Sequence, residues 1–206
     1  MELSLDDGKF LVKFAREVIE KKFLNEEVKI EREIFEKYKE KSGIFVTIEE
    51  YPSKELRGCI GYIEPIFPLI YALKEAAIQA GFNDPRFLPL EKEELNNVVI
   101  EVTVLTKPEL IKDNPENYEK HIEIGRDGLI VERKFHKGVL LPQVPIEWNW
   151  NKKEFLEHTC LKAGLNHNAY KDKETKVYKF QGKIFSEISP NGDVIIKDLK
   201  NRSCKI

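Results

Sequence analysis

Phe10, Leu11, Phe14, Val18, Ile19 and Phe23 recur at helical spacing behind Asp6 and Asp7, either of which can cap a helix. Residues 8–24 are therefore predicted to form an amphipathic helix with its apolar stripe on a core. Ile30, Ile34, Phe35 and Tyr38 predict a second, shorter helix, and the run Ile44–Ile48 a strand that Tyr51-Pro52-Ser53 turns back. The returning strand spans Leu56–Ile63, where Gly58 and Gly61 mark bends or a close approach of backbone. Pro68 suits the first turn of a helix over Leu69–Ala80, with Gly81 at its C-terminal cap, and Asn83-Asp84-Pro85-Arg86-Phe87 reads as a loop.

The clearest strand follows, because Val98, Ile100, Val102 and Val104 alternate with Val99, Glu101, Thr103 and Leu105. Ile122–Ile124 and Leu129–Glu132 flank Gly125-Arg126-Asp127-Gly128, which predicts a hairpin with a four-residue turn. Gly138–Leu141 gives a short strand ended by Pro142 and Pro145. Lys152–Ala163 gives a helix closed by Gly164. Val177–Ile188 and Val194–Ile196 give two last strands around the turn Ser189–Gly192. Irregular alternation with hairpin signals predicts an α+β fold, a mainly antiparallel sheet with flanking helices, and Phe14, Val18, Val46, Val102 and Val104 in its core. No repeat or low-complexity linker divides the 206 residues.

Lys plus Arg number 34 and Asp plus Glu 36, a net charge of -2, so no global basic field favours nucleic acid or an anionic membrane. No apolar run approaches the roughly 20 residues that span a bilayer, and the N-terminus lacks a signal peptide's pattern, so a cytoplasmic protein is expected. Cys59, Cys160 and Cys204 form neither a CxxC pair nor an even framework, which fits a reducing compartment. The Glu and Lys bias is a hyperthermophile trait, whereas twelve asparagines fit an AT-rich genome equally well; both origins stay open.

Candidate chemistry concentrates in Leu56-Arg57-Gly58-Cys59-Ile60-Gly61. Residues two apart on a strand share a face, so Arg57 is placed to stabilise a Cys59 thiolate, while Gly58 and Gly61 let a ligand approach the backbone. A buried structural cysteine explains the same spacing. In Asp84-Pro85-Arg86 the proline stiffens the turn, and Asp84 can orient Arg86 toward an anion or serve in a structural ion pair. Gln143 and Glu147, beside Trp148, are further candidates for the lining of the site. His158 and Cys160 lie i and i+2 on one helix and so do not share a face, and His121, His136 and His167 lack ligand spacing; no metal or cofactor is expected. His158 as a base for Cys59 requires a packing that spacing does not provide. No phosphate-loop motif occurs, and the runs Glu31–Glu36 and Glu91–Glu94 read as solvated faces.

The cysteine motif, Asn83–Phe87, Gly138–Gln143, Glu147-Trp148 and Phe155–Leu165 together resemble, in order over residues 8–188, the AMMECR-type domain family. Two departures are Phe135-His136, where a glycine-rich tip is usual, and Tyr170, where tryptophan is frequent. The resemblance implies one domain over residues 1–206, built as two interleaved lobes around a cleft lined by the cysteine motif, and a prokaryotic or archaeal member. It implies no particular reaction. It does imply a pathway shared with a Memo-type protein and a radical S-adenosylmethionine protein. Two functions are expected in competition. One is an enzyme or substrate-handling subunit, with Cys59 and Arg57 catalytic and Gly58, Gly61, Asp84, Arg86, Gln143 and Glu147 binding a small anionic substrate. The other is a non-catalytic adaptor for such a partner.

Overall fold

Helix α1 (Leu5–Phe23) begins one turn earlier than the stripe alone predicts, because Ser4 supplies the cap. Its hydroxyl accepts the Asp7 N–H at 3.1 Å, and the Asp7 carboxylate accepts the Ser4 N–H at 2.9 Å. Asp7 therefore acts at the third helical position rather than as the cap. Its carboxyl is held well below the usual carboxylate range, first by Lys37 and then by Ser4. The computed structural model describes residues 3–197, so Cys204 lies outside the described residues.

Two compact units are present, one comprising the described residues to Leu105 with Lys183–Lys197, the other Thr106–Gly182. In the first, α1 is followed by α2 (Arg32–Lys37), β1 (Gly43–Glu50), β2 (Leu56–Tyr62), α3 (Leu69–Phe82) and β3 (Val98–Leu105). The strand order is β2-β1-β3-β7, with β7 spanning Lys176–Glu187 and contributing its last five residues here; β8 (Val194–Lys197) pairs antiparallel with that end of β7. One face of the sheet is covered by α1 and α3, into which Ile44, Val46, Ile48, Ile100 and Val102 are fully buried beside Leu11, Ile19, Leu73 and Ala76. Phe14, Val18, Val46, Val102 and Val104 all lie in this core, as the periodicity predicts. Strand β3 is buried on both faces apart from Thr103. Gly81 lies inside α3 and Asn83 ends the helix, because the buried packing of Ala77, Ala80 and Gly81 continues the helix beyond the expected cap.

A buried ion pair ties this unit together. Arg16 donates from Nε to Glu187 at 2.7 Å and from its guanidinium to the carbonyls of Leu95 and Val98, while the Ile100 N–H donates to the same carboxylate. Both side chains are at most 4% exposed, and the hydrogen bonds compensate the loss of water around the two charges.

The second unit contains β4 (Glu109–Leu110), β5 (Asp127–Arg133), β6 (His136–Leu140), α4 (Val144–Glu147), α5 (Lys152–Lys162) and the first part of β7. Its strands run β7-β5-β6, all pairs antiparallel, with β4 on β7. Leu129, Val131, Phe155, Leu156, Cys160 and Val177 form its core. The expected hairpin is displaced: β5 pairs with β6 around Lys134-Phe135, and Ile122–Ile124 is not a strand. The Asp-Gly pair fails as a surface turn because Asp127 is fully buried at the start of β5, accepting the Glu123 N–H at 2.8 Å and Gln181 Nε2 at 3.1 Å. Lys134 takes the positive φ of the actual turn, and Phe135 is fully exposed at its tip. Among the described residues no helix is long and apolar enough to cross a membrane.

Candidate functional site

Strand β2 lies at the end of the first unit's strand order. Gly58 faces α3 so closely that a Cβ there would stand 2.2 Å from the Ala80 carbonyl oxygen, which excludes any side chain. Gly61 is opposite Phe45, whose ring covers it. Both glycines of the motif thus serve close packing of the protein on itself.

Cys59 lies between them, half-buried, with its side chain on the sheet face away from α3. Its N–H donates to Asp84 Oδ2 at 2.9 Å, and its carbonyl accepts from an Arg86 terminal nitrogen at 3.0 Å. The loop after α3 therefore satisfies the outward backbone groups of an edge strand, as a neighbouring strand would. Asp84 is 4% exposed and also accepts from the Arg86 backbone N–H, from Nε at 3.0 Å and from NH2 at 2.7 Å. Arg86 first, against the opposing effect of burial, holds the Asp84 carboxyl far below the carboxylate range. Arg86 is exposed, lies over the Phe87 ring at 5.4 Å, and its NH1 has no hydrogen-bond partner among the described residues.

Arg57 is not directed at the thiol. Leu56 pairs with Glu49 and Gly58 with Ile48, so Arg57 is the extra residue of a β-bulge, and the two-residue periodicity that placed it with Cys59 is broken. Its guanidinium is bound bidentately by Glu94, at 2.7 and 2.9 Å, and donates to the Leu88 and Pro89 carbonyls. Glu94, expected on a solvated face, is thus a structural partner with its carboxyl lowered, first by Arg57.

Because the backbone groups of Cys59 point outward, Cys59 and Thr47 form a non-hydrogen-bonded cross-strand pair, the arrangement in which side chains approach most closely. The Thr47 hydroxyl lies 3.3 Å from Cys59 Sγ. Thr47 is in turn opposite Glu101, so Cys59, Thr47 and Glu101 form one row across β2, β1 and β3. Glu101 is 6% exposed, and Lys197 of β8 reaches it at 2.5 Å and Glu49 at 3.3 Å. Sequence reasoning did not single out Thr47, Glu101 or Lys197. The signal it offered was one carboxylate in the otherwise apolar and hydroxylic run of β3.

Burial pushes the Cys59 thiol above its ordinary value, and the Glu101 and Asp84 carboxylates push the same way; Thr47 and Arg86 offset only part. The Arg57 guanidinium is engaged by Glu94 instead. The upward direction runs against the arginine-stabilised thiolate expected from spacing.

Gln143 and Glu147 belong to the second unit, at the cap and the last residue of α4, Gln143 partly buried and Glu147 exposed. His158 is stacked on Trp150, ring centroids 3.8 Å apart and almost parallel. Cys160 is fully buried, and burial raises its thiol to about 11. Among the described residues no group of three or more His, Cys, Asp or Glu is arranged to hold a metal ion.

Comparison with known proteins agrees along nearly the whole chain. Protein MJ0810 of Methanocaldococcus jannaschii is 51% identical over 198 residues, covering 96% of this chain and 98% of that protein. Protein PF1979 of Pyrococcus furiosus is 49% identical over 196 residues, covering 93% of each. The crystal structure of uncharacterized protein PH0010 from Pyrococcus horikoshii superposes with a TM-score of 0.81 at 47% identity, covering 93% of this chain and 96% of that one. The AMMECR1 family model matches residues 12–185, and the chain belongs to the AMMECR1 family.

Proposed function

We propose that this chain handles a small substrate through Cys59, as a thiol-dependent enzyme or as the substrate-handling subunit of a multi-protein pathway. The observation that carries this reading is the two-sided clamp on Cys59. Asp84 and Arg86 fix its backbone while the residue is only partly buried, with its sulfur beside the Thr47 hydroxyl. A reacting group needs this combination of fixed position and access. Arg86, with NH1 unpaired among the described residues, is the group suited to an anionic part of the substrate; Arg57 supports the site through Glu94. Gly58 and Gly61 shape the strand, and Asp84 orients Arg86. Gln143 and Glu147 belong to this reading only as candidates from sequence.

The test compares alkylation of Cys59 by iodoacetamide and by iodoacetate, read peptide by peptide by mass spectrometry, in wild type and Arg86→Gln. The reading expects Cys59 to react in the folded protein, with the preference for the anionic reagent falling in the variant. A Cys59 that stays unmodified in the native protein up to pH 10 rejects it.

A second reading, an adaptor that docks a Memo-type or radical S-adenosylmethionine protein, draws support from Ile66, Phe67 and Tyr71 near the start of α3. Each is about half exposed, at 54%, 51% and 48%. Pull-down with a Memo-type partner separates the two. The adaptor expects binding to survive Cys59→Ser and to fail in Phe67→Ser.

A further inference from the structure

Strand β2 has a stretch of edge that the loop after α3 does not occupy. Outward backbone groups recur at every second residue of an edge strand, so along β2 they belong to Cys59 and, two residues on, to Gly61. Asp84 and Arg86 take up those of Cys59. The N–H and carbonyl of Gly61 have no hydrogen-bond partner among the described residues. Phe45 covers Gly61 on the sheet face, yet the glycine is only partly buried. Unpaired edge groups of this kind are a template for another extended backbone. We propose that the edge at Gly61 binds the carboxyl-terminal residues of a partner polypeptide as an added antiparallel strand, with the terminal carboxylate on Arg86. The proposal rests on the reading of Arg86 as the anion-binding group and makes that anion the end of a peptide; it does not require the Cys59 sulfur to react.

The direction and length of the guest strand follow from the loop. In an extended residue the N–H lies toward the preceding residue and the carbonyl toward the following one. Asp84, which accepts the Cys59 N–H, is therefore on the far side from Gly61, and Arg86, which donates to the Cys59 carbonyl, is on the near side. A strand laid against Gly61 thus meets the guanidinium before the carboxylate, and the NH1 of Arg86 has no partner among the described residues. The guest cannot continue past this point, because the outward groups of Cys59 are already engaged, so a chain end must lie there. An antiparallel guest brings its carboxyl end to Arg86; a parallel guest would bring its cationic amino end, against a like charge. In the antiparallel register the penultimate residue exchanges both hydrogen bonds with Gly61, and the last residue stands opposite Ile60. Directly opposite residues share a face, and Ile60 packs on the core cluster of the first unit, so an apolar last residue suits the position.

The experiment titrates fluorescein-labelled hexapeptides of alternating threonine and valine, ending in leucine, with the full chain and reads fluorescence anisotropy. The peptide with a free carboxylate is expected to bind saturably below about 1 mM, and its carboxamide about 10-fold more weakly, having lost the charge-assisted bonds to Arg86. Arg86→Gln should weaken the acid by a similar factor and remove the difference between acid and amide. Two N-methylated peptides test the register without altering the protein. Methylation at the penultimate residue removes the N–H given to the Gly61 carbonyl and should abolish binding; methylation at the last residue, whose N–H points away from β2, should leave it within about 3-fold. Equal affinity of acid and amide overturns the proposal, as does an equal response to the two methylations. Absence of saturable binding overturns it as well, while Cys59 alkylation that still depends on Arg86 retains the thiol reading. Displacement of the peptide by an equal concentration of acetate also overturns it, leaving Arg86 as a site for a small carboxylate with no added strand.

Discussion

The two described cysteines occupy opposite kinds of surroundings. Cys160 sits on α5 among Phe155, Leu156 and Val177, fully buried, where the desolvation of a thiolate governs its chemistry. Cys59 sits on an edge strand among polar groups. Its backbone is held by a carboxylate and a guanidinium, and its sulfur lies against a hydroxyl. Burial raises both thiols above their ordinary value, Cys160 to about 11. The separation lies in access and in the number of polar groups engaged, and those features distinguish a thiol that packs from one that can act.

The comparison breaks most visibly if the clamp on Cys59 is removed. Asp84→Ala deletes the acceptor for the Cys59 N–H and for three N–H groups of Arg86, in a residue nearly inaccessible to water. Arg86 is exposed enough to regain water, which limits the cost to about 2–3 kcal/mol by urea unfolding. Faster alkylation of Cys59 should accompany it as the edge loosens. A change below about 0.5 kcal/mol would mean that the loop is not what holds the strand. The same carboxyl gives an acid dependence. Its folded value lies below its unfolded one, so its contribution is complete at neutral pH. That contribution is lost as pH falls below the ordinary carboxylate range and toward the lower folded value. Asp84→Asn should flatten the decline of stability between about pH 4 and pH 2 relative to wild type.

On the Cys160 side, Cys160→Ser replaces a sulfur in an apolar cluster with a more strongly solvated hydroxyl. A loss of about 1–2 kcal/mol is expected, with no effect on Cys59 alkylation. If Cys59 reactivity changed as well, the two thiols would be coupled and the contrast would fail.

Much of this contrast was legible from residues. The α1 stripe and the alternation of β3 depend on local periodicity, and the structure follows them. The motif around Cys59 and the Asp84-Pro85-Arg86 turn were also identified in the sequence, but the purpose of each group was not. Asp84 is turned toward a backbone N–H because β2 lies at the edge, a property of strand order. Arg57 is turned from the thiol by a bulge that exists only through pairing with β1. Glu101 looked like one polar member of an alternating strand, and its connection to Cys59 arises from the register of three strands separated in sequence. The misplaced hairpin has the same origin. Asp-Gly is permissive of a turn, yet Asp127 is consumed by buried hydrogen bonds, and Lys134-Phe135 makes the reversal without a glycine.

The smallest expected stability effect is the most informative about function. Cys59→Ser nearly preserves size at a partly buried position beside polar groups, and the new, more polar hydroxyl can hydrogen-bond Thr47 in place of the sulfur. The clamp from Asp84 and Arg86 acts on the backbone and is untouched by the substitution. Thermal and urea unfolding should therefore differ from wild type by no more than about 0.5 kcal/mol. Binding of small molecules from a metabolite pool, assayed at matched stability, should fall sharply if the sulfur bonds or contacts the substrate. A variant that loses more than about 2 kcal/mol would place Cys59 with Cys160, as a residue whose sulfur is needed for packing. Unchanged stability with unchanged small-molecule binding would shift the weight to the adaptor reading, in which the clamp shapes an edge strand and the exposed apolar residues before and within α3 meet the partner.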